Sequence, residues 1–361
     1  MNLRQTTPME MLEDLRALVE CESPTEDLAA CRRVIGLSKT LGKKVTGKDP
    51  DIFDENGRPI FWLGSKNPEV VLLCHLDTVW PIGSFTPLWE VKGEFARGPG
   101  CYDMKAGFIQ ALYAMKDLDH EKVALIATTD EETGSETSRP LIEKVSKGAS
   151  AVLVLESAID GKVKVGRKGT AMYRITIHGR AAHAGLEPEK GVNATIEIAK
   201  VVEKLVEMAN PATGTTVVPT LMKSGTTTNT VPALATLEVD ARSFQVKEME
   251  RVENEIKSIK PSSAEARIEI SGGINRPPLE EDSTKELFKL CEISAKKLGI
   301  TIGSAVVGGA SDGNFAGIHT RVLDGLGAVG SGAHALTENV SIPHLEERSK
   351  LLVELVREIL K

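Results

Sequence analysis

No apolar run in this chain of 361 residues reaches the roughly 20 residues that a membrane helix needs, so a membrane-spanning helix is not expected. The first residues, Met1-Asn2-Leu3-Arg4-Gln5, carry no apolar signal core, and a cytoplasmic protein is expected. Cysteine is scarce. The five (Cys21, Cys31, Cys74, Cys101 and Cys291) are odd in number and follow no disulfide or metal spacing, so they read as reduced thiols. There is no long basic run and the net charge is −7, which argues against nucleic acid or an anionic membrane as partner. A Walker loop, an internal repeat and a low-complexity segment are also absent. What is present is the composition of a soluble globular protein, 41% hydrophobic and 26% charged. The chain is too long for one ordinary core, which predicts two domains.

Apolar runs near 70–75, 122–128 and 151–156 predict strands, and helices are expected over 9–19 and 104–118. In the second helix Ala106, Ile109, Ala111, Leu112 and Met115 form the apolar stripe. Alternating strands and helices predict a mostly parallel sheet covered on both faces. The pattern changes near Gly169. A strand at 171–178, a helix at 192–208, strands at 216–222 and 233–242, a helix at 247–259 and a strand at 267–271 make a βαββαβ unit of ferredoxin-like type. The first pattern then resumes, with a helix at 283–298, strands at 304–307 and 321–325, and a helix from 343 onward. The expected architecture is one α/β domain, 1–168 and 280–361, split by an inserted α+β domain at 169–279.

Acidic residues and histidines close several of these runs. His75 and Asp77 follow Val70–Cys74. Residues two apart share a face, so Asp77 is placed to fix the tautomer of a metal-binding His75. Taken alone, this pair equally describes a polar strand end. Cys74 points the other way, into the core. Asp103 follows a Gly-Pro-Gly turn, where it suits either a helix N-cap or a metal-bridging carboxylate. Glu131 and Glu132 are adjacent and point opposite ways, so one suits a metal and the other a general base; a solvated acidic loop is the plainer alternative. Glu156 closes a buried strand, where a carboxylate needs a partner. His334 lies in the glycine-rich 330–334. His183 falls in the inserted domain and is no obvious ligand. His120, His178, His319 and His344 read as surface or structural. Two histidines and several carboxylates at the edge of a parallel sheet are the ligand set of a hydrolytic zinc site. One competing motif, Gly325–Gly330, matches the dinucleotide fingerprint but is not followed by a helix start.

Together the strings LLCHLDTVWP, GPGCYDMKAG, TTDEETGS, VLES, GRAAHAG and GSGAHALTENV resemble the M20 family of zinc aminoacyl-hydrolases, nearest its glutamate carboxypeptidase (carboxypeptidase G-like) branch. The resemblance runs from about residue 8 to the end of the chain. It implies that His75 and Glu156 hold one zinc and Glu132 and His334 another, with Asp103 bridging and Asp77 orienting His75. It implies Glu131 as general base, His183 as a lid histidine that polarises the scissile carbonyl, and the inserted domain as a lid and dimerisation domain. Asn229 and Arg242, in the segment 228–242, and Arg276 are then expected on a substrate carboxylate. The stretch Gly308–Asp312 resembles a turn that lines the family's cleft. Cys74 departs from the small residue that often precedes the histidine.

The expected protein is a two-zinc metallocarboxypeptidase, with cobalt or manganese as substitute metals. It would be a homodimer acting on a peptide or small molecule with a free carboxylate, most readily one ending in a glutamate-like residue. The alternative of the same class is an N-acyl amino acid deacylase, of acetylornithine deacetylase or succinyl-diaminopimelate desuccinylase type. The remote alternative is an NAD-binding oxidoreductase, resting on Gly325–Gly330 alone. A non-catalytic binding protein is disfavoured by the intact Glu131 and ligand set.

Overall fold

The computed structural model describes residues 8–361. They divide into two compact units. One comprises the chain up to Gly166, Glu281–Val307 and Ser311–Lys361; the other comprises Arg167–Glu280 and Gly308–Ala310.

In chain order the first unit contains α1 (Pro8–Glu20), α2 (Leu28–Thr46), β1 (Asp51–Glu55), β2 (Arg58–Gly64), β3 (Val70–His75), β4 (Glu90–Lys92), β5 (Phe95–Arg97), α3 (Ala106–Ala114), β6 (Val123–Thr128), α4 (Arg139–Gly148), β7 (Ala151–Val154) and β8 (Val163–Arg167). The second unit supplies β9 (Gly169–His178), α5 (Ala194–Glu207), β10 (Thr216–Ser224), β11 (Leu234–Ser243), α6 (Val246–Ser258) and β12 (Arg267–Arg276). The first unit resumes with α7 (Glu281–Lys297), β13 (Ser304–Val307), α8 (Gly313–Ala316), β14 (Arg321–Leu323), β15 (Gly330–Ser331), β16 (Asn339–Ser341) and α9 (Pro343–Ile359).

The main sheet has the order β1-β2-β6-β3-β7-β14. The four strands from β6 to β14 run parallel, and the β1–β2 hairpin is antiparallel. Every residue of β3, β6 and β7 is buried. That is why these strands are continuous apolar runs: helices cover both faces, and no position is left for a polar residue to meet water. Helix α3 is buried on all sides, as a helix apolar all round must be. It passes so close to the end of β7 that a Cβ at Gly107 would lie 2.0 Å from the Leu155 carbonyl oxygen. Because β3, β6 and β7 run the same way, their C-terminal ends open on one edge. That edge is where an α/β sheet places its chemistry.

The second unit is a four-stranded antiparallel sheet of order β10-β11-β9-β12. With α5 and α6 between strands, this is the ferredoxin-like arrangement. The helices cover one face: Tyr173, Ile175 and Ile177 of β9 pack with Ile198 and Leu205 of α5 and with Met249, Val252 and Ile256 of α6.

Several details differ from the sequence reading. The segment expected as a helix from 104 begins at Ala106, and Asp103 makes no capping bond there. The expected strand at 304–307 exists but pairs with β8, outside the main sheet. Helices α2 and α4, the β1–β2 hairpin and the small sheet β15-β16-β5-β4 were not anticipated. Gly325–Gly330 leads into β15, so it presents no helix N-terminus to a pyrophosphate. Among the described residues no helix is long and apolar enough to cross a membrane.

Candidate metal centre

Five side chains converge at the sheet edge of the first unit. His75 ends β3 and is 2% exposed. Its Nδ1 lies 3.1 Å from the Asp77 carbonyl oxygen and 3.4 Å from Asp77 Oδ1. A proton on Nδ1 is held there, which leaves the Nε2 lone pair facing Asp103 Oδ1 at 3.4 Å and Glu156 Oε1 at 3.6 Å. Nε2 is buried and makes no hydrogen bond. A buried nitrogen aimed between two carboxylates fits a metal ligand. Glu156 lies two residues beyond β7, and its other oxygen is 3.7 Å from the buried Lys164 ammonium.

Asp103 belongs to both halves of the cluster. Its Oδ2 is 3.4 Å from His334 Nε2. That same nitrogen is 3.1 Å from Glu132 Oε2. His75, Asp103 and Glu156 form one group of closely spaced donor atoms, and Asp103, Glu132 and His334 form a second. His334 sits in a turn at φ 60°, after Gly332 at φ 81°.

The electrostatics favour cations. Burial pushes the His75 imidazole down, but Asp103, Asp77 and Glu156 raise it well above its ordinary value. Asp103 and Glu132 push His334 up to about 10. Burial raises Asp103, yet the two histidines carry it far below the usual carboxylate range. Burial leaves Glu132 raised. Carboxylates that favour the protonated form of two imidazoles set up a negative field of the kind that would also favour a dication in place of those protons.

The backbone around the cluster is fixed by polar groups. Asp77 is fully buried and accepts from Thr25 Oγ1 at 2.8 Å and from the Glu132 N–H at 3.2 Å. The Glu131 N–H lies 3.4 Å from its other oxygen. Asp77 therefore orients His75 and also holds the short turn Glu131–Thr133 that follows β6. Glu131 is buried beside Glu132 in that turn. Asp130 accepts from the Thr137 and Ser138 N–H groups, closing the loop behind it. Cys74 lies in the core.

Sequence reasoning missed Thr25, Lys164 and Glu338. Glu338 is fully buried, and its carboxylate accepts from Trp80 Nε1 and from the N–H groups of Gly100, Tyr102 and Asp103, at 2.9–3.1 Å. Its only local mark is its place four residues after His334, just before the three-residue strand Asn339–Ser341, which is too short to show a pattern. Of the stretch 308–312, Asp312 accepts from the Ser135 and Thr128 hydroxyls.

The remaining expected site residues are in the second unit. His183 is exposed, and its Nδ1 accepts from the Gly185 N–H at 3.1 Å. Asn229 is brought beside it, its carbonyl accepting from the Ala184 N–H at 2.9 Å. Arg242 and Arg276 lie opposite Thr170 on the strands flanking β9, so they share one end of that sheet. Arg242 forks onto Asp240, with two bonds of 2.9 Å. Arg276 is buried. His120, His178, His319 and His344 stand near other partners: Met115, Glu269, Glu143 and Ser341.

Residues 165–267 match the model of a peptidase dimerisation domain of the M20 type. The chain is 31% identical to carboxypeptidase G2 of Pseudomonas sp. (strain RS-16), over 97% of this chain and 89% of that protein. It is 24% identical to succinyl-diaminopimelate desuccinylase of Pelagibacter ubique (strain HTCC1062), over 89% of this chain and 93% of the relative. Its fold resembles that of aminopeptidase PepT from Bacillus cereus ATCC 10987, with a TM-score of 0.81 at 22% identity, covering 98% of this chain and 99% of the other.

Proposed function

Since the chain belongs to the M20 family of metallopeptidases and hydrolyses peptide-like bonds, we propose that it is a two-zinc carboxypeptidase that releases a glutamate-like residue from peptides or N-acyl amino acids. The observation that carries this reading is Asp103, whose two oxygens each lie 3.4 Å from a different imidazole. His75 and Glu156 would hold one ion, Glu132 and His334 the other, and Asp103 both. Two imidazoles and three carboxylates without a thiolate suit zinc, with cobalt or manganese as substitutes. When bound, the metals supply Lewis acidity to the scissile carbonyl and lower the pKa of the attacking water.

The protein's own groups do the rest. Glu131 takes the proton of the attacking water and later delivers it to the leaving amine. Asp77 keeps the His75 proton on Nδ1. His183 donates to the oxygen that gains charge. Arg276, with Arg242 and Asn229, pairs with the substrate carboxylate. A homodimer through the second unit is supported by the apolar side chains on its edge strand β10, where Val218, Leu221 and Met222 are about half exposed.

The test compares an N-acyl glutamate with its α-amide, using wild-type and Arg276→Ala protein loaded with zinc. The wild type is expected to prefer the free acid. The variant should lose roughly 10- to 150-fold in kcat/KM for the acid, as for one charge-assisted hydrogen bond. Equal cleavage of both by the wild type would overturn the carboxypeptidase reading in favour of the deacylase one.

A further inference from the structure

Glu338 has no place in the chemistry above, yet it is among the most heavily bonded side chains of the first unit. It is fully buried, and both of its oxygens are committed. Oε2 accepts from Trp80 Nε1 and the Gly100 N–H, each at 3.0 Å. Oε1 accepts from the Tyr102 N–H at 2.9 Å and the Asp103 N–H at 3.1 Å. The N–H groups of a tight turn that converge in this way form a nest for an anion. Here the anion is part of the chain itself. It comes from the loop that carries His334, which two further turns close: the Ala335 N–H to Gly332 O at 2.9 Å, and the Glu338 N–H to Ala335 O at 2.8 Å. The same loop is held from outside by Arg97, whose guanidinium donates to Leu336 O.

One carboxylate thus ties the turn bearing Asp103 to the loop bearing His334. Both residues belong to the group Asp103, Glu132 and His334. Asp103 serves the other group too, but the two remaining members there, His75 at the end of β3 and Glu156 just after β7, are positioned by the main sheet without Glu338. We propose that Glu338 is a positioning residue that fixes the spacing of Asp103 and His334, and so governs the affinity of the second metal site, two of whose three members it holds, more than that of the first, where it holds only Asp103. The inference rests on the two-metal reading of the cluster.

Glu338→Gln tests it with little change of shape. The amide turns an NH2 toward one of the two donor pairs, so either Trp80 and Gly100 or Tyr102 and Asp103 lose their acceptor. The measurement is calorimetric titration of metal-free protein with zinc, paralleled by the visible spectrum during titration with cobalt. Wild-type protein is expected to take up two equivalents. In Glu338→Gln the weaker equivalent should lose roughly 10- to 100-fold in affinity, the usual effect of removing a group that orients a ligand, while the other stays within a few-fold. Trp80→Phe removes one donor and leaves the carboxylate in place; it should shift the same equivalent by less, and it serves if Glu338→Gln fails to fold. Parallel weakening of both equivalents, with a lower Tm of the metal-free protein, would mean a merely structural role and overturn the proposal. So would two equivalents bound with wild-type affinity in both variants. A wild-type protein that binds no second equivalent would instead overturn the two-metal reading beneath it.

Discussion

Asp77 is the residue on which the two functions of the sheet edge meet. Its side chain faces the His75 imidazole and also receives the N–H groups of Glu131 and Glu132. The two glutamates are thereby held on one short turn although their expected tasks differ. Glu132 lies 3.1 Å from His334, within the second metal group. Glu131→Gln is expected to retain both zinc equivalents and lose about 10²- to 10⁴-fold in kcat, the usual worth of a general base. Glu132→Gln should weaken one zinc site. Metal analysis and turnover of the two variants check this, and loss of zinc from Glu131→Gln alone would reverse the assignment. Much of this was legible from residues, because a carboxylate or histidine that ends a buried apolar run stands out against its surroundings. Glu338 and Lys164 did not stand out. Glu338 matters through Asp103, a partner distant in the chain, and Lys164 through the side chain of Glu156, across a turn between two strands, and no local periodicity reports either pairing.

Elements divide the same way. Strands β3, β6 and β7 were readable because complete burial forces an unbroken apolar run. Strands β4, β5, β15 and β16 have two or three residues each, too few for any period to show. Their small sheet nevertheless sets β16, just after Glu338, beside β5, just before the turn of Asp103. Helix α2 left usable signals that went unread, an Asp27 N-cap and a Gly47 C-cap at φ 72°. Helix α6 carries its own electrostatic anchor. The Arg251 guanidinium, helped by the Thr215 and Thr213 hydroxyls, holds the Glu248 carboxyl down to about 2 against the pull of burial. A carboxyl whose pKa is lower in the folded chain stabilises fully above its unfolded value, about 4.3, and loses that contribution as pH falls through the folded one. Glu248→Gln should therefore lower stability at pH 7. Its difference from wild type should shrink between about pH 4.5 and pH 2. Denaturant titrations across that range check the prediction; a difference independent of pH would refute it.

For the whole molecule, the sequence reading of two domains came from the alternation of strands and helices, interrupted once, together with the chain's length. The structure's boundaries also bring Gly308–Ala310 into the second unit, an excursion of three residues that composition cannot reveal. That unit has β10 as one edge strand, where the side chains of Val218, Leu221 and Met222 are about half exposed, surface that the proposed dimer would cover. Light scattering should give a dimer mass for the wild type, and Leu221→Glu should raise the dissociation constant at least about tenfold, as for 1.4 kcal/mol. A monomeric wild type at micromolar concentration would dismiss the dimer. The split of the first unit also has a consequence on the ribosome. The second unit's core draws on residues between Ala171 and Ile274, so its folding can begin while the first unit still lacks β14, α9 and His334. At about 5–20 residues per second, roughly 10–50 s separate the synthesis of His75 from that of His334. For the later part of that interval the nascent chain holds His75, Asp103, Glu132 and Glu156 without the last imidazole. On the two-metal reading, tight capture of both ions thus waits for the synthesis of His334, and truncation between the end of the second unit's core at Ile274 and His334 should yield chains whose second unit folds but which do not load both ions.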